Sequence, residues 1–440
     1  MMKDLLISCL TMLTLGFTTA YGQQFNSAPV MTTPISAEAN GMGGASASVL
    51  SDNALATVAN PAQLGLFCLD NRFNASTFLA NASWPSGFQD THNSIYATAL
   101  NVGVKLNKWF TLPVPFSLGA GYSRLQMNLN NFEMMPFGGP QVISTWQASQ
   151  AMQSLTLSVA FDYWVRLGIG YNLKWLSSRL TTAYPTTDVP PGQGNALAQD
   201  YGVLLDLPVV GDLSRIKGQQ IEFNKGISPE MNLLLAYSRR NIGKGIYYIE
   251  PGNSHPFPRE AVLGLSAVVG LKSEVDGEPW TLISFTWARE AEDNLVAIYD
   301  VPVATPDMFG DTVYSYSTVY SYKNGPGDIS PIDNLVFGRG NGNVALRKGW
   351  QLQIAELVYL RGGSYLSPVA PGYHTLGLGL RLDGLMKLLA AYKLVDASGA
   401  AVAAFVMNHL DLQYDYSEYT STSNMNINGT SFQSLNLVLR

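Results

Sequence analysis

Along Leu155-Thr-Leu-Ser-Val-Ala-Phe-Asp-Tyr163, large apolar residues hold every odd position, and Thr, Ser, Ala and Asp hold every even one. Successive side chains of a strand point to opposite faces, so such a segment needs an apolar medium on one side and polar or crowded surroundings on the other. After Trp164 the phase resumes, with Val165, Leu167, Ile169, Tyr171, Leu173 and Trp175 on one face and Arg166, Gly168, Gly170, Asn172 and Lys174 on the other. The pattern predicts two strands joined by a tight turn near Asp162 to Arg166. Tyr96, Leu100, Val102, Val104 and Leu106 alternate in the same way, as do Met231, Leu233, Leu235 and Tyr237, then Leu263, Leu265, Ala267, Val269 and Leu271. Later come Leu376, Leu378, Leu380 and Leu382, then Leu410, Leu412, Tyr414 and Tyr416. About 13 to 14 such segments can be counted, each roughly 9 to 12 residues long, the length with which a tilted strand crosses a bilayer.

A secreted sandwich or propeller also alternates, but its strands are usually shorter, and its second face is rich in hydroxyls and charge. Here that face is mostly Gly, Ser, Ala and Asn, and charged residues make up only 13% of the chain, about half the usual share of a soluble protein. A helical membrane protein is excluded on other grounds. The best apolar run, Leu385 to Met407, is broken by Lys387, Lys393 and Asp396, where a spanning helix needs about 20 predominantly apolar residues. The chain therefore reads as all-β, a transmembrane antiparallel β-barrel, in which closure leaves no backbone group unpaired in lipid. Ser431 to Leu439 would pair with the first strand, with Leu435, Leu437 and Leu439 facing lipid. Four segments rich in Pro, Asp and Asn, at 131–151, 183–198, 209–228 and 301–344, are expected to be extracellular loops.

The first residues fit an exported chain. Lys3, the apolar run Leu5 to Phe17 and Ala20-Tyr21-Gly22 form a secretory signal over 1–22. Of the two cysteines, Cys9 falls in that signal. Cys68 alone remains, so neither an intrachain disulfide nor a cysteine metal cluster is expected, and its apolar neighbours predict burial.

Between the signal and the first strand lies "SAEANGMGGASASVLSDNALATVANPAQLGLF", residues 36 to 67. A phosphate loop would need a preceding strand and a closing Gly-Lys-Ser/Thr, and neither is present. A flexible linker would lack the regular small-apolar pattern of Ala45 to Leu64. The segment reads as part of a hatch, 23–70, inside a barrel formed by 71–440. Gly41, Gly43 and Gly44 would permit close approach to the wall. Asp52 or Asn53 would cap a short helix over 54–59, stopped by Asn60-Pro61.

Gly41-Met-Gly-Gly-Ala45, Ser51-Asp-Asn-Ala54 and Asn60-Pro61-Ala62-Gln-Leu64 resemble the signature that follows the signal peptide in the FadL superfamily. That group holds long-chain fatty-acid channels and the PorV/PorQ-like barrels of type IX secretion. Residues 239–271 and the ending from His409 are similar to the PorV type. Asn53 and Gln63 depart from the commoner pattern, as does the terminal Arg440. The resemblance implies a barrel of about 14 strands with an N-terminal hatch, in the outer membrane of a Gram-negative bacterium and surrounded by outer-membrane lipid. Two roles follow from it. The first is a PorV-like barrel that binds and shuttles secreted cargo proteins or contacts secretion-system components. The alternative is a channel for long-chain fatty acids or other hydrophobic small molecules. For the channel, the relevant feature would be a bulge in the third strand at Tyr122, Ser123 and Arg124, where the apolar residues change parity: Phe116, Leu118, Ala120 and Tyr122, then Leu125, Met127 and Leu129. A bend where the strand leaves the membrane would give the same pattern.

Enzyme chemistry finds little support. The four histidines, His92, His255, His374 and His409, show no metal-ligand spacing, and no Gly-x-Ser-x-Gly occurs. A barrel-borne lipid hydrolase using His374 or His409 is the remaining enzymatic reading. The net charge of −6 offers nothing to nucleic acid. No cofactor is expected.

Overall fold

The computed structural model describes residues 28–82, 93–112, 114–134, 144–180, 192–210, 226–248, 255–275, 278–306, 312–368, 372–394, 404–421 and 429–440. The predicted signal therefore lies outside the described residues.

Among the described residues sixteen strands follow one another: β1 (Phe73–Ala82), β2 (Asn93–Lys105), β3 (Phe116–Met134), β4 (Ser144–Asp162), β5 (Arg166–Arg179), β6 (Gln193–Val210), β7 (Ser228–Gly243) and β8 (Glu260–Val275). They continue with β9 (Glu278–Asn294), β10 (Val296–Pro306), β11 (Thr312–Tyr322), β12 (Val344–Ile354), β13 (Val358–Leu366), β14 (Tyr373–Arg381), β15 (Leu410–Ser421) and β16 (Ser431–Leu439). Fourteen of them close into an antiparallel barrel, in which β9 pairs with β12 and β16 returns to β1. β10 and β11 form a separate hairpin.

The alternation explains which way each strand faces. Leu100, Leu157, Leu235, Val269, Leu376 and Leu435 stand on the outer wall, 44% to 53% exposed, while Ser154, Thr156, Asn172 and Asn436 are buried inside. So much large apolar surface outside, on strand after strand, requires an apolar solvent. Towards the rim opposite the terminal rim, where β1 starts and β16 ends, this band ends on several strands in aromatic residues followed by polar ones two positions on: Tyr122 then Arg124, Trp287 then Arg289, Trp350 then Lys348, Tyr416 then Glu418. No helix among the described residues is long and apolar enough to cross a membrane. Leu382–Ala391 forms an amphipathic helix at the terminal rim, where Lys387 is buried against Glu356 (2.6 Å) and Asp383 (3.4 Å).

Three expectations need correction. First, the third strand has no bulge at Tyr122, Ser123 and Arg124, which pair in unbroken register with Leu155, Ser154 and Gln153 and with β2. Its parity does not change here: Leu125 and Met127 point inward beside Ser123. The apolar residues change face because the lumen itself turns apolar at that height. The strand's register shift lies further on, between Asn128 and Asn131.

Second, the expected loops are partly strand. β3 runs to Met134, β4 begins at Ser144, and β6 begins at Gln193. The 301–344 stretch holds most of the β10–β11 ribbon, whose Tyr/Thr and Ser/Val alternation at 312–322 is a strand signal outside the barrel wall. Moreover, 209–228 joins β6 to β7 at the terminal rim, opposite the other three, because strands that alternate in direction bring every second connection there.

Third, the inner face is not short of charge. Lys174, Asp200, Arg361, Asp415 and Glu290 are all buried within it.

Candidate functional site inside the barrel

Residues 28–71 lie within the barrel and follow a path marked by wall glycines. A short helix α1, Ala37–Gly41, is capped by Ser36, whose hydroxyl accepts from Ala39 N (3.2 Å). A 3-10 turn, Ala54–Val58, is capped by Asn53, whose side chain accepts from Leu55 N (2.9 Å). Asp52 instead pairs with Arg381 (3.1 Å). Asn60 and Pro61 end this turn but also begin a helix the sequence reading lacked, α2, Ala62–Asp70. Asn60 Oδ1 accepts from Ala62 N (3.1 Å) while its Nδ2 donates to Ala47 O (3.0 Å). Pro61 is favourable beside a helix start because it has no N–H to satisfy.

Of the named glycines, Gly43 and Gly44 have φ of 69° and 82°, a region costly for residues bearing Cβ. A Cβ on Gly43 would stand 2.5 Å from Ser364 N, and one on Gly41 would stand 3.1 Å from Gly377 Cα. Opposing wall glycines receive the segment: Gly349 and Gly363 take Met42 and Gly43, Gly168 and Gly170 take Pro61 and Ala62, and Gly103 takes Cys68. Cys68 is buried and free. Burial pushes its thiol up to about 12.

Ionic contacts hold the same segment. Glu38 meets Arg361 (3.4 Å), which also pairs with Asp415 (2.6 Å) and donates to Gln351 (2.6 Å). Ser51 donates to the other oxygen of Glu38. Burial raises the Glu38 carboxyl above its ordinary range, and Arg361 only partly opposes this. Glu290 accepts from Ser48 N (2.9 Å), and Arg347 donates to Gly44 O (3.0 Å).

The lumen wall changes character around its circumference. Towards the far rim, Phe78, Leu125, Met127, Met152 and Phe432 pack on Val30, Met31 and Ile35 of the segment. At the far ends of β7, β8, β9 and β12 the wall is instead ionic, with Arg240, Glu260, Glu292 and Arg347 paired. Towards the terminal rim, Leu66 and Leu69 of the segment pack on Ala160, Leu204 and Leu234.

Between these walls the segment borders a small chamber of about 60 Å³. Met31, Ile35, Met42, Val49, Leu55 and Val58 line most of it, and Glu38, Ser46, Ser51, Arg240 and Arg347 its polar part. Arg240 reaches this place through a bulge in β7: Gln199 pairs with Ile242 and Tyr201 with Arg239, so Arg240 and Asn241 together face Asp200. Asn241, at φ 60°, accepts from Lys174 Nζ (2.9 Å) and donates from its backbone N to Asp200 (2.8 Å). Arg240 pairs with Glu260 (2.7 Å) and Glu292 (2.9 Å), and Arg347 shares Glu292 (2.6 Å). The Nε of each arginine is buried and has no hydrogen-bond partner among the described residues. The arrangement is a small, mostly apolar chamber with two ion-paired arginines at one side. Nothing in Arg-Arg-Asn at 239–241 announces the bulge. A positive φ at an Asn is the sole local hint.

No group of three or more side chains that could hold a metal ion occurs among the described residues.

No family model matches the chain, and neither does any curated protein. Among solved structures, the toluene transporter TbuX of Ralstonia pickettii is similar at 12% identity over 96% of this chain and 98% of that one, with a TM-score of 0.40. A FadL homologue of Pseudomonas aeruginosa is similar at 11% identity over 92% and 98%, with a TM-score of 0.35. The transport unit of the autotransporter AIDA-I of Escherichia coli reaches 0.36 at 8% identity over 84% and 90%.

Proposed function

We propose that this barrel stands in a Gram-negative outer membrane and admits hydrophobic or amphipathic small molecules, with residues 28–71 acting as the hatch that holds them in transit. The observation that carries this reading is the small chamber at that segment, about 60 Å³, apolar on most sides and bordered by Arg240 and Arg347. Met31 and Ile35, which line it, also belong to the apolar cluster of the far wall. Glycine signature positions Gly41, Gly43 and Gly44, together with Asn60, Pro61 and Ala62, seat the hatch against the wall. Asp52 and Asn53 tie and cap it.

Cargo shuttling of the PorV kind is the second reading. Its support is the β10–β11 hairpin, a separate ribbon between β9 and β12 on which a secreted protein could dock. The chamber has no role in such a mechanism.

Protein purified from outer membranes in mild detergent, extracted and analysed by mass spectrometry for lipids and for bound proteins, separates the two. A fatty acid or hydrocarbon near one per chain, lost when Ala59 at the chamber edge becomes Phe, is expected. Secreted proteins sharing a sorting domain, with no small molecule, would overturn the channel reading.

A further inference from the structure

On the outer wall, Arg289 of β9 and Lys348 of β12 stand directly opposite each other. Cross-strand neighbours have Cβ atoms about 4.5–5.5 Å apart, and like charges so placed repel. Neither side chain makes an ion pair among the described residues. Arg289 gives one nitrogen to the carbonyls of Leu335 and Val336 (2.8 Å each), and its Nε is buried with no partner. The pair sits one step beyond Trp287 and Trp350, themselves cross-strand partners at the far edge of the apolar band.

A segment returning from the β10–β11 hairpin lies against the wall at this place. Its π-helical turn, Pro331–Val336, buries Leu335 against Ala291 and Leu346 and leaves Ile332, Val336 and Phe337 exposed by 59% to 63%. Gly338, at φ 65°, packs on the Arg289 guanidinium, and the next residue, Arg339, holds its own guanidinium 5.1 Å over the Phe337 ring.

Two opposed cations without a counter-ion, a third close by, indoles on the bilayer side and apolar side chains beside them call for a ligand with an anionic head and hydrocarbon tails. We propose that Arg289, Lys348 and Arg339 bind the phosphate of an anionic membrane lipid, whose acyl chains run along Trp287 and Trp350 beside Phe337. Snorkelling of Lys348 and bidentate donation from arginine suit a headgroup at this depth. The site rests on the barrel standing in a membrane and is independent of what enters the lumen.

The full chain is reconstituted in bilayers of phosphatidylglycerol and phosphatidylcholine, released into the gas phase, and scored for retained lipid. The wild type is expected to keep one phosphatidylglycerol in preference to phosphatidylcholine. Arg289→Gln with Lys348→Gln should lower that retention about tenfold, and Arg124→Gln, an outward cation elsewhere on the band edge, should not. Lys348→Gln alone removes a repulsion and serves as the folded variant if the double one fails. Equal retention in the variants, an equal fall in Arg124→Gln, or full displacement of the lipid by inorganic phosphate would overturn the site. An empty lumen with lipid retention intact would instead count against the channel reading alone.

Discussion

Arg361 of β13 points into the lumen and meets Glu38 of the inner segment, 3.4 Å away, while its other terminal nitrogen holds Asp415 of β15 at 2.6 Å. One fully buried guanidinium thus joins the wall to the segment inside it. Arg361→Met should leave Asp415 and Glu38 without their cation, a change that costs about 3–5 kcal/mol for buried pairs. The expected result is a barrel that still closes but whose N-terminal segment is cut by protease from outside detergent micelles, as followed by limited proteolysis.

Burial raises the Glu38 carboxyl above its ordinary 4.5. The seated state therefore binds a proton that the released state gives up. Its stability is greatest below the ordinary carboxyl range and falls as pH rises towards the raised value, by at most about tenfold per pH unit for one proton. Protease release of the segment should accelerate from acid to neutral pH in the wild type and become flat in Glu38→Gln.

Gly43→Ala puts a Cβ at φ 69° and 2.5 Å from Ser364 N. The conformation alone costs about 1–2 kcal/mol, and the contact adds to it. Thermal unfolding in detergent should show a lower midpoint, whereas Gly342→Ala, with open space around its Cβ, should match the wild type.

Cys68 is buried with its thiol near 12 against an ordinary 9.0. Its thiolate fraction at neutral pH is then lower by about a thousandfold. Maleimide should label it on the scale of unfolding in the native barrel and at once in denaturant. Rapid native labelling would show that α2 is not packed on Gly103 as described.

Ala59 borders the chamber at partial exposure. Ala59→Phe should fill that space and reduce uptake of a labelled fatty acid by cells at least about tenfold, the loss expected when bulk occupies an apolar pocket. Thermal stability should change little.

How far these features can be read from sequence depends on their range. The outer wall is legible because it is a period-2 pattern against one medium: Leu155, Leu157, Val159 and Phe161 report lipid without reference to any other strand. Closure of the last strand on the first follows from the same need for paired backbone. The inner wall is less legible, since a residue there answers to whatever stands opposite. Leu125 and Met127 look like a slip of phase from sequence, yet they keep parity, because Met31 and Ile35, remote along the chain, make the lumen apolar at their height. Likewise Gly363 and Gly377 read as indifferent small residues until the backbone of Gly43 and Gly41 occupies the space a Cβ would need. The bulge that brings Arg240 to the chamber depends on Asp200, Lys174 and Pro258 holding Asn241. The opposition of Arg289 and Lys348 depends on β9 skipping the β10–β11 hairpin to pair with β12. By itself, then, the sequence determined which face of each strand meets the membrane, a local balance of burial between alternate side chains. Tertiary structure alone decided which charges meet, which glycines make room and where empty space remains, because those depend on registers between strands far apart in the chain.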